Sequence, residues 1–305
     1  MRNTLLKTIS EKIISDEKLI VILGDLGVFQ MKDAMKKYPS RVLNFGIMEQ
    51  TMIGFSAGIS RGDYYPIIYS ITPFIVDRAY EQIKLDLIYN KNNALILSAG
   101  ASFDYSTLGP THHCPHDISN LLSIGHPFLC HPFTKIESIG FLNYILQKKI
   151  QAYLRISTSE LDISKYKNFV KFDLNEGKNY LEKIEKYNSN ESNRSKKLLV
   201  LFGPDSILLK DCNKHIKNSD SLIKVSVLNE DVFLTLSEEI KKFEEVFLAI
   251  PYEPSQIIFK LIGLIKSFKN NPKSILVLHP RTNFYDNSYQ KEDIFQKYTE
   301  ETRIF

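Results

Sequence analysis

The sequence predicts an α/β protein made of two α/β domains, the first built on a mainly parallel sheet and the second smaller. Three observations predict it: short apolar runs that end in glycine or aspartate, helical spacing of apolar residues between those runs, and one long polar stretch that interrupts both patterns. At 305 residues the chain is long enough for two domains of ordinary size. Its 43% hydrophobic and 24% charged residues are those of a soluble globular protein. The net charge of +4 is small, and lysines are interleaved with acids, which points away from a nucleic-acid surface. Cys114, Cys130 and Cys212 are odd in number and form no CxxC pair, as expected in a reducing compartment. Lysines and glutamates run through residues 1–20, so that stretch reads as neither signal peptide nor membrane span, and a cytoplasmic location is expected.

In chain order, Leu5, Leu6, Ile9, Ile13 and Ile14 have the spacing of a leader helix. "LIVILGDLG" (19–27) reads as a buried strand running into a loop, and "RVLNFGI" as a second. "MEQTMIGFSAGISRG" has small and apolar residues at helical spacing, with Gly62 as its expected C-cap. "YYPIIYSI" (64–71), "ALILSAG" (94–100) and "QAYLRIS" (151–157) continue the strands, and "DRAYEQIKLDLIYNK" (77–91) reads as an amphipathic helix. The first domain is therefore expected over 1–165. Polar composition and an Asn/Ser/Lys run make 166–196 the expected linker. A second domain is expected over 197–305, with strands in "KLLVLFGPDS", "IKVSVLN", "EVFLAI" and "SILVLHP".

Three places carry chemistry. Glu49 lies in an apolar run just past a strand end, where ligands bind in open α/β sheets; the structural alternative is a helix-start carboxylate favoured by the macrodipole. "LGPTHHCPHD" (108–117) gathers His112, His113, Cys114 and His116. A zinc site fits poorly, because adjacent residues cannot all face one ion. A Cys114 thiol with a histidine partner and a plain polar loop both stay open. Phe74 and Tyr80 stand near a strand-to-helix junction, where an aromatic serves either as core or as a ligand platform.

Taken in order, "RVLNFGIMEQTMIGFSAGISRGDYYPII", "TPFIVDRAYEQI" and "GPTHHCPHD" resemble the pyrimidine-binding domain of the transketolase family, over residues 1 to about 160. The resemblance implies thiamine diphosphate and Mg²⁺ as cofactors. It implies that Glu49 hydrogen-bonds N1′ of the aminopyrimidine and promotes formation of the thiazolium ylid, a task helped by a low-dielectric pocket that favours a protonated carboxyl. By the same resemblance Phe74 stacks on the aminopyrimidine, Tyr80 contributes beside it, and Asp25 of "LGDLG" lies near the thiazolium. His112 would donate a proton or hydrogen bond to substrate oxygens, with His113 in place of the family's usual glutamine.

The pattern also departs from the family. "GDLG" at 24–27 lacks the partner asparagine of a diphosphate and Mg²⁺ motif, and no metal ligands are assigned to this chain. The chain is expected to be the C-terminal half of a split enzyme. Its partner, an N-terminal-half subunit, would carry the diphosphate and Mg²⁺ site in an α2β2 assembly, with no nucleic acid or membrane involved. Gly100, Leu108 and Thr158 stand where sugar-phosphate transketolases carry histidine, aspartate and arginine, so Asp104, Tyr105 and Arg155, with His112 and His113, are expected to shape a different substrate pocket. The implied activity is transfer of a two-carbon ketol unit to an unusual sugar. Alternatives are the β subunit of a 2-oxo-acid dehydrogenase, a deoxyxylulose-phosphate-synthase-like enzyme, or a non-catalytic subunit of the same fold.

Overall fold

Residues Leu19–Leu23 (β1) are buried at every position, as a strand covered on both faces must be. A computed structural model describes residues 1–161, 181–185, 196–266, 271–281, 285 and 289–304. The leader helix Arg2–Ser15 (α1) buries Leu5, Leu6, Ile9 and Ile13, each worth about 1.5–3 kcal/mol relative to exposure. After β1 come Val28–Lys37 (α2), Val42–Asn44 (β2), Glu49–Ser60 (α3) and Tyr65–Ile71 (β3). Next are the short helices Thr72–Val76 (α4) and Tyr80–Gln82 (α5), a π-helical segment Ile83–Tyr89, and Leu95–Ala99 (β4). Asp117–Ser123 (α6), Leu129–Cys130 (β5), Lys135–Lys148 (α7) and Ala152–Ile156 (β6) complete this part.

Two expectations change here. The helix expected over 77–91 is broken: residues 77–79 form a turn, and the rest is a short α-turn followed by the π-helical segment. Gly62 does not cap α3 in a left-handed conformation; Arg61 ends the helix in the right-handed region, and Asp63 carries the positive φ of 64°.

Within the expected linker, Leu181–Glu185 (β7) is a strand paired antiparallel with a later one; residues 162–180 and 186–195 lie outside the described residues. Lys197–Phe202 (β8), Cys212–Asn218 (α8), Ser221–Val225 (β9), Val227–Leu228 (β10) and Glu230–Ile240 (α9) follow. Glu245–Ala249 (β11), Ser255–Lys266 (α10), Ser274–Pro280 (β12), Lys291–Lys297 (α11) and Thr299–Arg303 (β13) end the chain. The single strand expected in "IKVSVLN" divides at Ser226, and its two parts enter different sheets.

The first sheet has the order β10-β5-β6-β4-β3-β1-β2 and is parallel except for β10. The second has the order β13-β12-β11-β8-β9-β7, with the two antiparallel strands at its edges. One apolar cluster runs through both, from Leu5 and Ile22 to Val200 and Leu248. Among the described residues, no helix is long and apolar enough to cross a membrane.

His126 and His131 are buried, with Nε2 of each lacking a hydrogen-bond partner, and burial pushes both down to about 3. Their unfolded value is near the ordinary 6.5, so the unfolded chain binds protons first as pH falls. Stability from these residues is complete above about pH 6.5 and is lost toward pH 3, at about 1.4 kcal/mol per pH unit for each. Urea unfolding at pH 7 and pH 5 should show this loss, and H126Q should remove about half of it.

Candidate active site

Strands β1 and β3 run parallel and end side by side, with Leu23 opposite Tyr69. Gly24 follows β1 because a Cβ there would stand 2.9 Å from Ser70 Oγ. Glycine therefore leaves room for Ser70 to reach Glu49, the first residue of α3. The Glu49 side chain has no exposure, and Oε1 accepts a hydrogen bond from Ser70 Oγ at 2.8 Å. Oε2 accepts one from Arg78 Nη1 at 2.6 Å. That guanidinium lies 4.5 Å from the centroid of the Phe74 ring. Phe74, in α4, is half-buried.

His112 closes the far side, edge-on to Phe74 with ring centroids 5.2 Å apart. Its Nδ1 is 2.9 Å from the Thr111 hydroxyl, and burial lowers its pKa. A second ring, Tyr105, stands 6.5 Å from His112. Tyr105 fills the space over Gly100: a Cβ at Gly100, whose φ is +87°, would stand 2.3 Å from Tyr105 Cε2. Leu108 is exposed.

Asp25 sits at the same sheet edge with a φ of 56°. Asn44, at the end of β2, holds it: the Asp25 N–H donates to Asn44 Oδ1 at 3.0 Å, and Asn44 Nδ2 donates to Asp25 Oδ1 at 3.1 Å. The resulting arrangement is a buried carboxylate and an aromatic face about a slot filled by the Arg78 guanidinium, with a histidine edge-on to the ring, at the carboxyl edge of a parallel sheet, the place where such sheets bind ligands.

The family model described as "Transketolase, pyrimidine binding domain" matches residues 1–163, more than half of the chain. The chain belongs to the transketolase family. It is 28% identical over 141 residues to a subunit of the apulose-4-phosphate transketolase of Actinobacillus succinogenes, covering 46% of this chain and 45% of that protein. It is 32% identical over 151 residues to an uncharacterized 33.6 kDa protein in the fasciation locus of Rhodococcoides fascians, covering 50% and 48%. The chain thus spans about half the length of these curated relatives. In fold it is similar to a solved structure titled as a split gene transketolase, inactive beta4 tetramer. That likeness has a TM-score of 0.73 at 18% identity and covers 97% of this chain and 92% of that one.

Not every site residue expected of this transketolase-family chain lies in the slot. Tyr80 turns its hydroxyl away, to Ser123 Oγ at 2.9 Å and the Asn120 carbonyl at 3.2 Å on α6. The Asp104 side chain is enclosed and ion-paired to Lys291 at 2.5 Å. It also accepts from the backbone N–H groups of Ala101 and Thr158 and from the Thr158 hydroxyl, so no oxygen is left for substrate.

Arg155 is 2% exposed and grips Asp117 with Nε at 2.6 Å and Nη2 at 3.2 Å. Nη2 also donates to Ser102 Oγ at 2.8 Å, and the guanidinium lies over Tyr252. The charges of Asp104 and Arg155 are therefore both met within the chain. Each is a charge matched by a counter-charge distant in sequence. His113 is buried with Nε2 3.4 Å from the Ser106 carbonyl, edge-on to Phe103. It faces away from the slot, toward Tyr285 of the C-terminal region. The Cys114 thiol is buried, lies 3.5 Å from Asp77 Oδ2 and is pushed well above its ordinary range by burial, which disfavours the thiolate a nucleophile needs. Among the described residues, no three His, Cys, Asp or Glu side chains converge as metal ligands.

Ser70 and Arg78 went unread in the sequence. Arg78 carries a local signal, since it stands four residues after Phe74 within "TPFIVDR"; Ser70 carries none.

Replacing Arg155 by methionine leaves Asp117 buried and unpaired, which should cost about 3–5 kcal/mol in urea unfolding. Near-native stability combined with a raised KM would instead restore Arg155 to the substrate pocket.

Proposed function

We propose that this chain is one subunit of a split transketolase-like enzyme that moves a two-carbon ketol unit from a ketose donor to an aldehyde acceptor. The observation that carries the reading is the unexposed Glu49 carboxylate, which shares one slot with the Phe74 ring and His112 in a chain of this family. The slot suits an aminopyrimidine: Glu49 Oε2 and the Phe74 ring face both meet a flat, N–H-bearing group there. Thiamine diphosphate, when bound, supplies a carbon nucleophile at thiazolium C2 and a sink for the electrons of the broken C–C bond.

Glu49 would be the residue to share a proton with N1′ of the aminopyrimidine, and Ser70 holds its other oxygen so that the carboxylate keeps one orientation. Phe74 supplies the stacking face. Asp25, fixed by Asn44, borders the thiazolium side of the slot. His112 is kept neutral near pH 7 by its partial burial, so it serves as a hydrogen-bonding and proton-transferring group toward substrate oxygens. The diphosphate and its Mg²⁺ are assigned to a partner subunit. That assignment is supported by "GDLG", whose first glycine serves the approach of Ser70 to Glu49. An α2β2 assembly follows if each site forms between unlike chains.

Tyr105 over Gly100, and Leu108 and Thr158 in their places, favour a sugar other than the ordinary pentose phosphates. The name of the Actinobacillus relative supports an acceptor or donor of that unusual kind.

Calorimetric titration of thiamine diphosphate and Mg²⁺ should show tight binding only when the chain is mixed with an N-terminal-half partner; no binding to the mixture would defeat the reading. In that complex, E49Q keeps the shape but loses the shared proton. Its turnover should fall by at least about a thousandfold, on the scale set by losing a proton-transfer group together with the tautomer it supports. Retained activity would sink the assignment of Glu49.

A further inference from the structure

Arg78 makes two contacts with one flat group. Its Nη1 donates to Glu49 Oε2 at 2.6 Å, and its guanidinium lies 4.5 Å from the Phe74 ring centroid. These are the carboxylate bond and the ring-face contact assigned above to the aminopyrimidine. A guanidinium is planar, delocalised and rich in N–H donors, and an aminopyrimidine shares all three traits. A flat group stacked on that face of Phe74 and bonded to Glu49 Oε2 would have to take the place of the guanidinium.

We propose that Arg78 is a built-in placeholder in the aminopyrimidine subsite, displaced by the cofactor as it enters. The proposal rests on the roles given to Glu49 and Phe74 under the proposed function. Its physical basis is the burial of Glu49. With only the Ser70 hydroxyl for a partner, an unexposed carboxylate would bear an uncompensated charge. Arg78 supplies the counter-charge from a side chain that is itself 41% exposed, so it has a short path back to water.

The backbone suits such a swing. Residues 77–79 form a turn between α4 and α5, and the segment after α5 is π-helical, an irregularity found often at functional sites. Exchange of Arg78 for the aminopyrimidine trades one N–H···O bond and one ring contact for another pair of the same kind. Small differences therefore decide the occupant, and cofactor affinity is reduced by the fraction of time that Arg78 holds the slot.

The test is an NMR titration of the full chain with thiamine, a probe that carries the aminopyrimidine without the diphosphate, combined with thermal melts in the absence of thiamine. Native chain, R78A, R78K and E49Q are compared. R78A should bind thiamine about three- to tenfold more tightly than the native chain, and should melt at a lower temperature without it. R78K, which keeps the charge but lacks the flat face, should fall between the two in affinity and reports on the proposal if R78A folds poorly. Equal or weaker binding by R78A and R78K overturns the placeholder, while loss of binding in E49Q still upholds the subsite itself. No thiamine binding by any form overturns the placeholder, while the proposed function is decided separately by the titration with the partner subunit.

Discussion

Arg155 stands near the end of β6, in the middle of the first sheet, with almost no exposure, and a guanidinium so placed has to be matched bond for bond. Asp117, the first residue of α6, meets it with both carboxylate oxygens and also takes the hydroxyl of Tyr153 at 2.6 Å. Ser102 is drawn in from the loop after β4, at a φ of 45° that few serines adopt, and its own hydroxyl reaches the Pro251 carbonyl in the C-terminal region. Pairing with Cys114 through an isolated bridge ties the loop to itself. The stretch between Ser102 and Asp117 therefore has little freedom, and His112 lies inside it.

Glu49 is the second deeply placed charge, and its setting differs in kind. Where Asp117 is locked by a buried arginine, Glu49 is met by one oriented hydroxyl and one half-solvated cation. Its Ser70 partner depends on the missing side chain of Gly24, and its position depends on the start of α3. The sheet edge thus carries one fully buried charge pair and another with a partly exposed member. Beside the second lies the ring of Phe74, with His112 edge-on to it.

Much of this was legible in the sequence for a simple reason. Strands buried on both faces must be continuous apolar runs, so β1, β3, β4 and β6 announce themselves, and the ends of two of them bracket Glu49. The slot residues Glu49, Phe74 and His112 were readable because each sits in a local motif. The internal pairing of Asp104 and Arg155 has no local signal, because their partners lie far away in the sequence. Lys291 stands 187 residues from Asp104, and Asp117 stands 38 from Arg155. Nothing local tells a substrate-facing charge from an internally matched one. The break after Val76 was hidden for a different reason: a π-helical turn keeps nearly the same apolar spacing as an α-helix over so short a segment. Asp205, in a turn that reads as an ordinary strand-to-helix connection, accepts from Ser157 across the two halves and pairs with Lys291 at 3.2 Å within its own half.

Val227–Leu228 (β10) leaves the second sheet's neighbourhood and pairs with Leu129–Cys130 at the rim of the first. Two residues from the C-terminal half thus seal an open border of the N-terminal half. A chain truncated before residue 227 would expose the backbone donors and acceptors of β5 along a flat, apolar rim, a surface that invites strand-to-strand self-association. The two halves are distinct as sheets yet share this border, and separating them would leave the edge of the first sheet uncovered.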